Sequence, residues 1–226
     1  MKNAAALVLW ILWTFAAQAE VLKPVPASHV QAALPGKGSA RVVTQLMWDS
    51  GKARLVRARF EVRDVLDLPE AEVIWRPDAF SADVEGATGP GTLVWMQPGA
   101  AAYQAGAVIA TLKGGFENGV LQGQGRYWHR SGASYAGGWR DGAFDGAGHL
   151  HRADGTVYTG AFRAGLPHGE GKLVARDGTI YRGSFYAGAQ DGDGTLFPAQ
   201  DRAFRAHWRA GTQVGARQVI GGQAGV

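Results

Sequence analysis

The second half of the chain repeats every 23 residues without insertion or deletion, and this periodicity constrains its fold more than any other feature. The period is marked by Tyr135, Tyr158 and Tyr181, each followed by a glycine and then an aromatic residue. Most of the 34 glycines in the chain fall in this half. Glycine costs about 0.5–1 kcal/mol relative to alanine inside regular structure, so a folded chain needs so many only for backbone geometry. The residues that define the repeat are Tyr135, Gly137, Trp139, Gly142, Gly146, Gly148, Tyr158, Gly160, Phe162, Gly165, Gly169, Gly171, Tyr181, Gly183 and Phe185.

Each unit has the pattern of a β-hairpin. Tyr135, Gly137 and Trp139 alternate with period 2, so their side chains share one face of a strand. The Asp141-Gly142 pair is a strong turn signal that ends this strand. The glycine-rich stretch that follows returns the backbone, and we expect a second short strand from Gly148 to Arg152.

The loop into the next unit sets the register of the sheet. A three-residue loop over residues 153–155, with glycine in the left-handed position, places Leu150 opposite Tyr158 and Leu173 opposite Tyr181. A two-residue loop would put Leu150 and Tyr158 on opposite faces. We favour three residues because this register gathers the large apolar side chains on one side. One hairpin cannot bury that face alone, and stacked neighbours can.

The string Tyr-x-Gly-x-Trp/Phe-x-x-Gly-x-x-x-Gly-x-Gly, closed by Asp-Gly, resembles the MORN repeat (membrane occupation and recognition nexus). Residues 158–171 match it almost completely, and the resemblance extends over residues 110–217. It implies an all-β fold, an elongated single-layer antiparallel sheet of stacked 23-residue hairpins. The departures are Leu112 in the first unit, Asp201 in the fourth, and Ala206 and Arg217 in the fifth, which has the character of a truncated terminal cap.

Residues 1–19 have the pattern of a secretory signal peptide. Lys2 precedes an apolar run from Ala4 to Ala17, and Ala17-Gln18-Ala19 is a cleavage motif. The run is shorter than the roughly 20 residues needed to cross a bilayer. We therefore expect cleavage after Ala19, a periplasmic or secreted protein, and no transmembrane segment after cleavage. The chain has no cysteine, so no disulfide stabilises it.

The rest of the chain divides by composition. We expect an extended arm over residues 20–40, a β-rich region over 41–110 that includes decayed repeats, five tandem repeats over 111–217, and a tail over 218–226. Arg41 to Trp48, the alternation around Phe60, and Val73 to Trp75 predict strands. The spacing of glycines over residues 86–91 resembles a repeat with an inserted residue. We expect the sheet to start near residue 80 and the preceding segment to pack on its open edge.

No catalytic constellation is visible in the sequence. His149 and His151 alternate on one strand and could share a metal ion, but the sequence fixes no third ligand. Ser131 lies near His129 without an orienting carboxylate or oxyanion hole. A row of acidic loop residues could bind a cation weakly, although solvated loop charges are the favoured interpretation. These residues are Asp145, Glu170, Asp191 and Asp193. We predict a protein that is not an enzyme and holds no cofactor or metal.

Four interpretations of the function remain. The favoured one is a scaffold that binds a protein partner or associates with itself. The second is binding to a lipid surface through arginines, with the alternative that these arginines only solubilise the outer face. The third is binding to an envelope glycan through exposed aromatic rows, although the favoured interpretation is that these aromatic rings form the packed face. The fourth, an enzyme within residues 27–110, has no supporting motif. The net charge of +4 is too small to indicate a nucleic-acid partner. The candidate binding surface consists of Arg140, Arg163, Arg182, Trp139 and Trp208.

Overall fold

A computed structural model describes residues 35–36, 38–79, 86–100, 104 and 106–220. The predicted signal peptide, most of the predicted arm and residues 221–226 of the predicted tail lie outside the described residues. The cleavage after Ala19 therefore stays a prediction.

The described residues form fourteen β-strands and no helix, which confirms the all-β prediction. No helix long and apolar enough to cross a membrane is found in this part of the chain. Twelve strands form one antiparallel sheet in the order β3 to β14, and β1 and β2 form a separate hairpin. The strands are β1 (Ser39–Asp49), β2 (Arg54–Asp64), β3 (Glu72–Pro77), β4 (Gly89–Met96), β5 (Val108–Glu117), β6 (Val120–His129), β7 (Ser134–Arg140), β8 (Ala143–His151), β9 (Val157–Arg163), β10 (Leu166–Val174), β11 (Ile180–Tyr186), β12 (Ala189–Phe197), β13 (Phe204–Arg209) and β14 (Thr212–Val219).

Two kinds of turn alternate along the sheet. Within each repeat, a two-residue turn has both central residues at positive φ, as in Asn118 (48°) and Gly119 (77°), which is the type I′ geometry. Between repeats, the three-residue loop is confirmed, and Leu150 pairs with Tyr158 as predicted. The Asp154 carboxylate accepts a hydrogen bond from the Thr156 N–H at 2.8 Å and closes that loop.

The second strand of each unit is longer than the sequence predicted. In the second unit it runs over Ala143–His151 instead of Gly148 to Arg152. Gly137 pairs with Gly148 but Trp139 pairs with Phe144, so β8 carries two more residues than β7 at this point. Gly146 lies inside this bulge with a φ of 85°, a conformation that other residues rarely adopt.

The tyrosine and glycine positions depend on each other. The ring of Tyr135 lies over Gly148, where an added Cβ atom would approach the ring carbon Cε2 to 2.6 Å. The Tyr135 hydroxyl donates a hydrogen bond to the carbonyl of Gly138 at 2.9 Å, and Tyr158 does the same to Ala161 at 2.9 Å. Burial raises the pKa of Tyr158 to about 12, so this hydroxyl keeps its proton at neutral pH. Each unit therefore packs its own aromatic ring on its own glycines.

The sheet begins at Glu72 and not near residue 80. Leu93 in β4 pairs with Leu112 in β5, so the two strands before the predicted repeats continue the same ladder. Trp75 in β3 lies over Gly91 in the way that the tyrosines lie over their glycines, because an added Cβ atom there would come within 2.8 Å of the indole. The sheet therefore continues across residue 110, and the interpretation of its first hairpin as a decayed repeat stays a prediction.

The β1–β2 hairpin packs on the apolar face of the sheet, called here the inner face. Phe60 and Val62 of the hairpin are buried in the same core cluster as Trp75 of the sheet. The Arg63 N–H donates to the carbonyl of Gly119 at 2.9 Å. The side-chain amide of Gln45 hydrogen-bonds to both the N–H and the carbonyl of Trp75 in the edge strand β3. Polar groups on that edge strand are thereby satisfied, as expected of a segment that packs on an open edge.

Asp64 joins the hairpin to the sheet. The residue is 3% exposed, and its carboxylate accepts hydrogen bonds from Arg41 at 2.9 Å and from the indole N–H of Trp95 at 2.7 Å. Arg41 also donates to the carbonyls of Leu68 and Ala71. The buried carboxylate thus has both an ion-pair partner and neutral donors, which a buried charge requires.

Candidate functional site

The two tryptophans of the predicted binding surface lie on the inner face. Trp139 is 3% exposed and Trp208 is 8% exposed. The Trp139 ring contacts Phe144 edge-on with centroids 4.8 Å apart, and Trp208 contacts Tyr181 at 5.4 Å. These two candidates therefore do not belong to an exposed binding surface, because they pack against neighbouring aromatic rings in the core, as the packed-face alternative expects.

The three predicted arginines are exposed on the opposite side of the sheet, called here the outer face, but they do not form one strip. Arg140 and Arg163 end β7 and β9, whereas Arg182 lies near the start of β11. Arg140 also forms an ion pair with Asp145 at 2.9 Å. These three arginines therefore do not form a single surface.

The outer face instead carries a different line of side chains, called here the basic row. Each of the twelve strands of the sheet contributes one residue, and successive members are paired directly across neighbouring strands. The row contains six cations and one histidine, and none of its members is acidic. In strand order its members are Arg76, Thr92, Lys113, Arg126, Ala136, His149, Thr159, Lys172, Arg182, Thr195, Arg205 and Gln218.

The two flanks of the basic row differ. On the side toward the loops between repeats lies an apolar line that includes Trp128, 45% exposed, and Phe197. On the side toward the type I′ turns, Glu170 and Asp193 lie two residues before Lys172 and Thr195 on the same strands. Glu170 accepts a hydrogen bond from Ser184 at 2.6 Å, and the Asp193 carboxylate lies 2.9 Å from Nδ1 of His207, within hydrogen-bonding distance.

A second exposed surface lies on the β1–β2 hairpin, on the side away from the sheet, and is called here the hairpin patch. Its apolar members are Val42, Leu46, Trp48 and Leu55, which are 49%, 65%, 58% and 63% exposed. Trp48 pairs directly with Leu55. Sequence reasoning missed this patch, although β1 carries apolar residues at adjacent positions (Val42 and the buried Val43), a pattern that puts some on each face.

The other sequence candidates have local structural partners. His149 shares a hydrogen bond with Thr159 at 2.7 Å, and the part of the chain that the structure describes contains no group of three residues able to hold a metal ion. His129 is buried and its Nδ1 lies 2.8 Å from the Ser131 hydroxyl in the turn before β7. Burial, together with the charge of Arg130, lowers the pKa of His129. Asp145, Glu170 and Asp193 each contact a different partner, and Asp191 accepts from the Ala210 N–H at 3.0 Å, so these acids do not form one cation site.

The described residues define a class: a repeat protein whose hairpins stack side by side into a single long sheet, with one face packed and one face open. The MORN repeat family model matches residues 113–134, 135–157 and 158–180. The chain therefore contains three consecutive MORN repeats over residues 113–180. A search among curated proteins found no match. MORN repeats commonly take part in protein or membrane-lipid binding, and their all-β scaffold is typically non-enzymatic.

Proposed function

We propose that this protein is a non-catalytic scaffold of the cell envelope that binds a protein partner through the hairpin patch. The patch is the observation that carries the proposal. It holds four of the eight large apolar side chains that are exposed in the described residues. Exposed apolar side chains that cluster on one surface are characteristic of interaction sites.

The geometry of the patch supports a protein partner. Leu46 pairs with Arg57, and Trp48 pairs with Leu55, so an apolar centre is bordered by a cation on the same face. Protein interfaces combine apolar and aromatic centres with a polar rim, and Trp and Arg are enriched among the residues that dominate binding. On the opposite side of the hairpin, Phe60 is buried in the core shared with the sheet, and Asp64 accepts a hydrogen bond from Trp95 of the sheet. These contacts fix the position of the patch relative to the sheet.

The envelope location rests on the sequence. The apolar run of residues 4–17 and the Ala17-Gln18-Ala19 motif are the supporting observations. Detection of a mature chain that begins at Glu20 in the periplasm or the medium would support this location, and a full-length chain retained in the cytoplasm would contradict it.

The test is an affinity capture from envelope extract with the full chain carrying a C-terminal tag. The patch variant is Leu46→Thr combined with Trp48→Thr, since threonine retains β propensity while removing the apolar surface. The control variant is Leu166→Thr combined with Tyr186→Thr, because both residues are exposed apolar side chains outside the patch. We expect the wild type and the control to capture the same stoichiometric protein at low and high salt, and the patch variant to lose it.

Two results would contradict the scaffold proposal. One is equal capture by the patch variant and the control. The other is recovery of lipid alone, with binding that weakens steeply as salt screens the charges of Arg57 and Arg59. Self-association is the second form of the scaffold prediction. It would appear as a mass that rises with protein concentration and returns to that of a monomer in the patch variant.

A further inference from the structure

The basic row crosses the whole sheet as one continuous line of residues paired directly across neighbouring strands. Neighbouring strands lie about 4.8 Å apart, so twelve strands carry the row over roughly 50 Å. Its cations fall in two groups of three, at β3, β5 and β6 and at β10, β11 and β13. His149 lies between the two groups.

The bulge in each repeat creates this line. The type I′ turn aligns Arg163 with Leu166, and an unbroken ladder from that pair would place Thr159 opposite Glu170. The two extra residues of the bulge place Thr159 opposite Lys172 instead. In the next unit the same shift places Arg182 opposite Thr195, where an unbroken ladder would place it opposite Asp193. The acidic residues are thereby moved out of the row.

The cations of the row keep their charges available to a ligand. Arg76, Lys113, Arg126, Arg182 and Arg205 are exposed, and Lys172 is half-buried. Among the described residues, no carboxylate lies within ion-pair distance of any of the six. A line of cations without counter-charges attracts a polyanion, and the small counterions that a polyanion releases on binding add to its affinity.

Trp128 provides a flat surface beside the first group of cations. It lies two residues from Arg126 on the same face of β6, between the shorter side chains Thr111 and Ser134 on the neighbouring strands. At 45% exposure, part of its ring is accessible to a ligand. An aromatic side chain combines an apolar body with a π-face on which a ring can stack. A ring-containing ligand with negative charges would contact the indole and the cations together.

We propose that the outer face binds a linear anionic polysaccharide along the basic row, with one sugar ring stacked on Trp128. This binding site is separate from the hairpin patch and goes beyond the scaffold function. The polymer runs across the strands, and its acidic groups meet the cations on β5 and β6 first and those on β10, β11 and β13 further along.

The flanks of the row favour a narrow chain over a membrane surface. A plane of anionic headgroups would meet Glu170 and Asp193 together with Lys172, and like charges would repel. A single polymer chain follows the row and avoids these acids. Single-stranded nucleic acid stacks successive bases on successive aromatic rings. Near the row, Trp128 is an accessible ring, whereas Phe197 is already covered by the Arg182 guanidinium at 5.4 Å.

The test measures binding of the full chain to heparin and alginate fragments of graded length by isothermal titration calorimetry. Heparin presents sulfates and carboxylates, and alginate presents carboxylates alone, so the pair identifies the charged group that is preferred. We expect affinity to rise with fragment length until the fragment spans the row, as expected of a multivalent contact.

Two variants and one control locate the site. Lys113→Gln combined with Arg126→Gln is expected to weaken binding about tenfold or more and to lower the slope of log K against log salt by about 2. Trp128→Ala is expected to weaken binding about tenfold with the salt slope unchanged. The control is Arg163→Gln combined with Arg209→Gln, which removes two exposed cations outside the row and is expected to change affinity less than twofold. Unchanged thermal midpoints verify that the variants are folded.

Several results would overturn the proposal. One is wild-type affinity for both polysaccharides in the Lys113/Arg126 variant. Others are tighter binding to anionic phospholipid vesicles, to oligo(dT) or to poly-glutamate than to either polysaccharide. The two proposals can be disproved independently of each other. The hairpin-patch variant should keep polysaccharide binding, and the Lys113/Arg126 variant should keep protein capture.

Discussion

The repeats beneath the β1–β2 hairpin differ from those beyond it, although all five share one 23-residue pattern. The glycine of the type I′ turn shows how far the hairpin reaches. An added Cβ atom at Gly119 would collide with the backbone of β2, and at Gly142 it would lie 3.3 Å from the Arg63 side chain. At Gly165 it would meet no atom within 4 Å. The hairpin therefore covers the first two units and leaves the last three open.

The side chains of the inner face follow this difference. The second residue after the turn glycine is Leu121 or Phe144 in the covered units, and both are buried. In the open units the same position holds Pro167, which is buried, and then Gln190 and Gln213, which are half-buried. Polar side chains therefore occur at this position only in units that the hairpin leaves open, where water has access.

The tyrosine positions do not follow this difference. Tyr135 in the covered part is 2% exposed, and Tyr181 in the open part is 1% exposed. These rings are buried by the glycines of their own unit and by the neighbouring aromatic ring, so they need no covering hairpin. The comparison therefore separates burial that each repeat provides for itself from burial that the hairpin provides.

The largest expected effect comes from separating the hairpin from the sheet. Asp64→Asn removes the charge that Arg41 pairs with and weakens the contact with Trp95, at an expected cost of about 2–4 kcal/mol in the free energy of unfolding. Urea denaturation measures the loss, and hydrogen exchange locates it. We expect faster exchange in β5 to β8 and unchanged exchange in β11 and β12. Glu61→Gln, an exposed acid on the same strand, is the control, and an equal loss in both variants would show that Asp64 does not join the two parts.

A smaller loss is expected where the tyrosine rings lie on glycine. Gly148→Ala in the covered part and Gly171→Ala in the open part each push a Cβ atom into a tyrosine ring, at an expected cost of about 1–3 kcal/mol. The two losses should be equal within error, because this packing is internal to each unit. Gly115→Ala is the control, since its added Cβ atom would be 3.7 Å from the nearest atom. A much larger loss at Gly148 would mean that the hairpin also contributes to the tyrosine packing.

The pH dependence of stability should report on the covered end of the sheet. Burial lowers the pKa of His129, so near pH 6 the unfolded chain binds more protons than the folded one. The stabilising contribution is present above the unfolded pKa of about 6.5 and is lost as the pH falls through the folded pKa. Urea denaturation at a series of pH values should show a steeper acid loss in the wild type than in His129→Asn. His151 is an exposed histidine on β8, so the His151→Asn variant should have the same pH profile as the wild type. Identical profiles for all three proteins would show that His129 does not cause the loss of stability in acid.

The smallest expected effect concerns the type I′ turns. The covered units have Asn118 and Asp141 at the first turn position, whereas the open units have Ala164, Ala187 and Ala210 at φ values between 47° and 50°. Asparagine tolerates this conformation better than alanine, so Ala164→Asn should raise the free energy of unfolding by about 0.5–1 kcal/mol. The reverse substitution Asn118→Ala should lower it by a similar amount. Thermal denaturation measures both, and a loss of stability in Ala164→Asn would contradict the role given to the turn.

The local features of the fold could be predicted from the sequence. The three-residue loop, the pairing of Leu150 with Tyr158 and the Asp-Gly turns follow from residues close together in the chain. The strands of the hairpin were predicted, but its position over the inner face could not be, because the contacts that fix it join distant residues such as Asp64 and Trp95. The burial of Trp139 and Trp208, which the sequence offered as candidates for a binding surface, is likewise a property of the assembled inner face.

The sequence by itself determined that this chain is a stack of 23-residue hairpins, since its period and its turn residues act locally. Only the tertiary structure decided which outer-face residues meet. The predicted loops fix the pairing of Lys172 with Arg182, but the pairing of Lys172 with Thr159 depends on the bulge within the repeat. A shift of two residues preserves which side chains face outward and changes their partners across the strands. For that reason the alternation of apolar and polar residues identifies which side chains lie on the outer face, whereas only the folded sheet shows that the basic row exists.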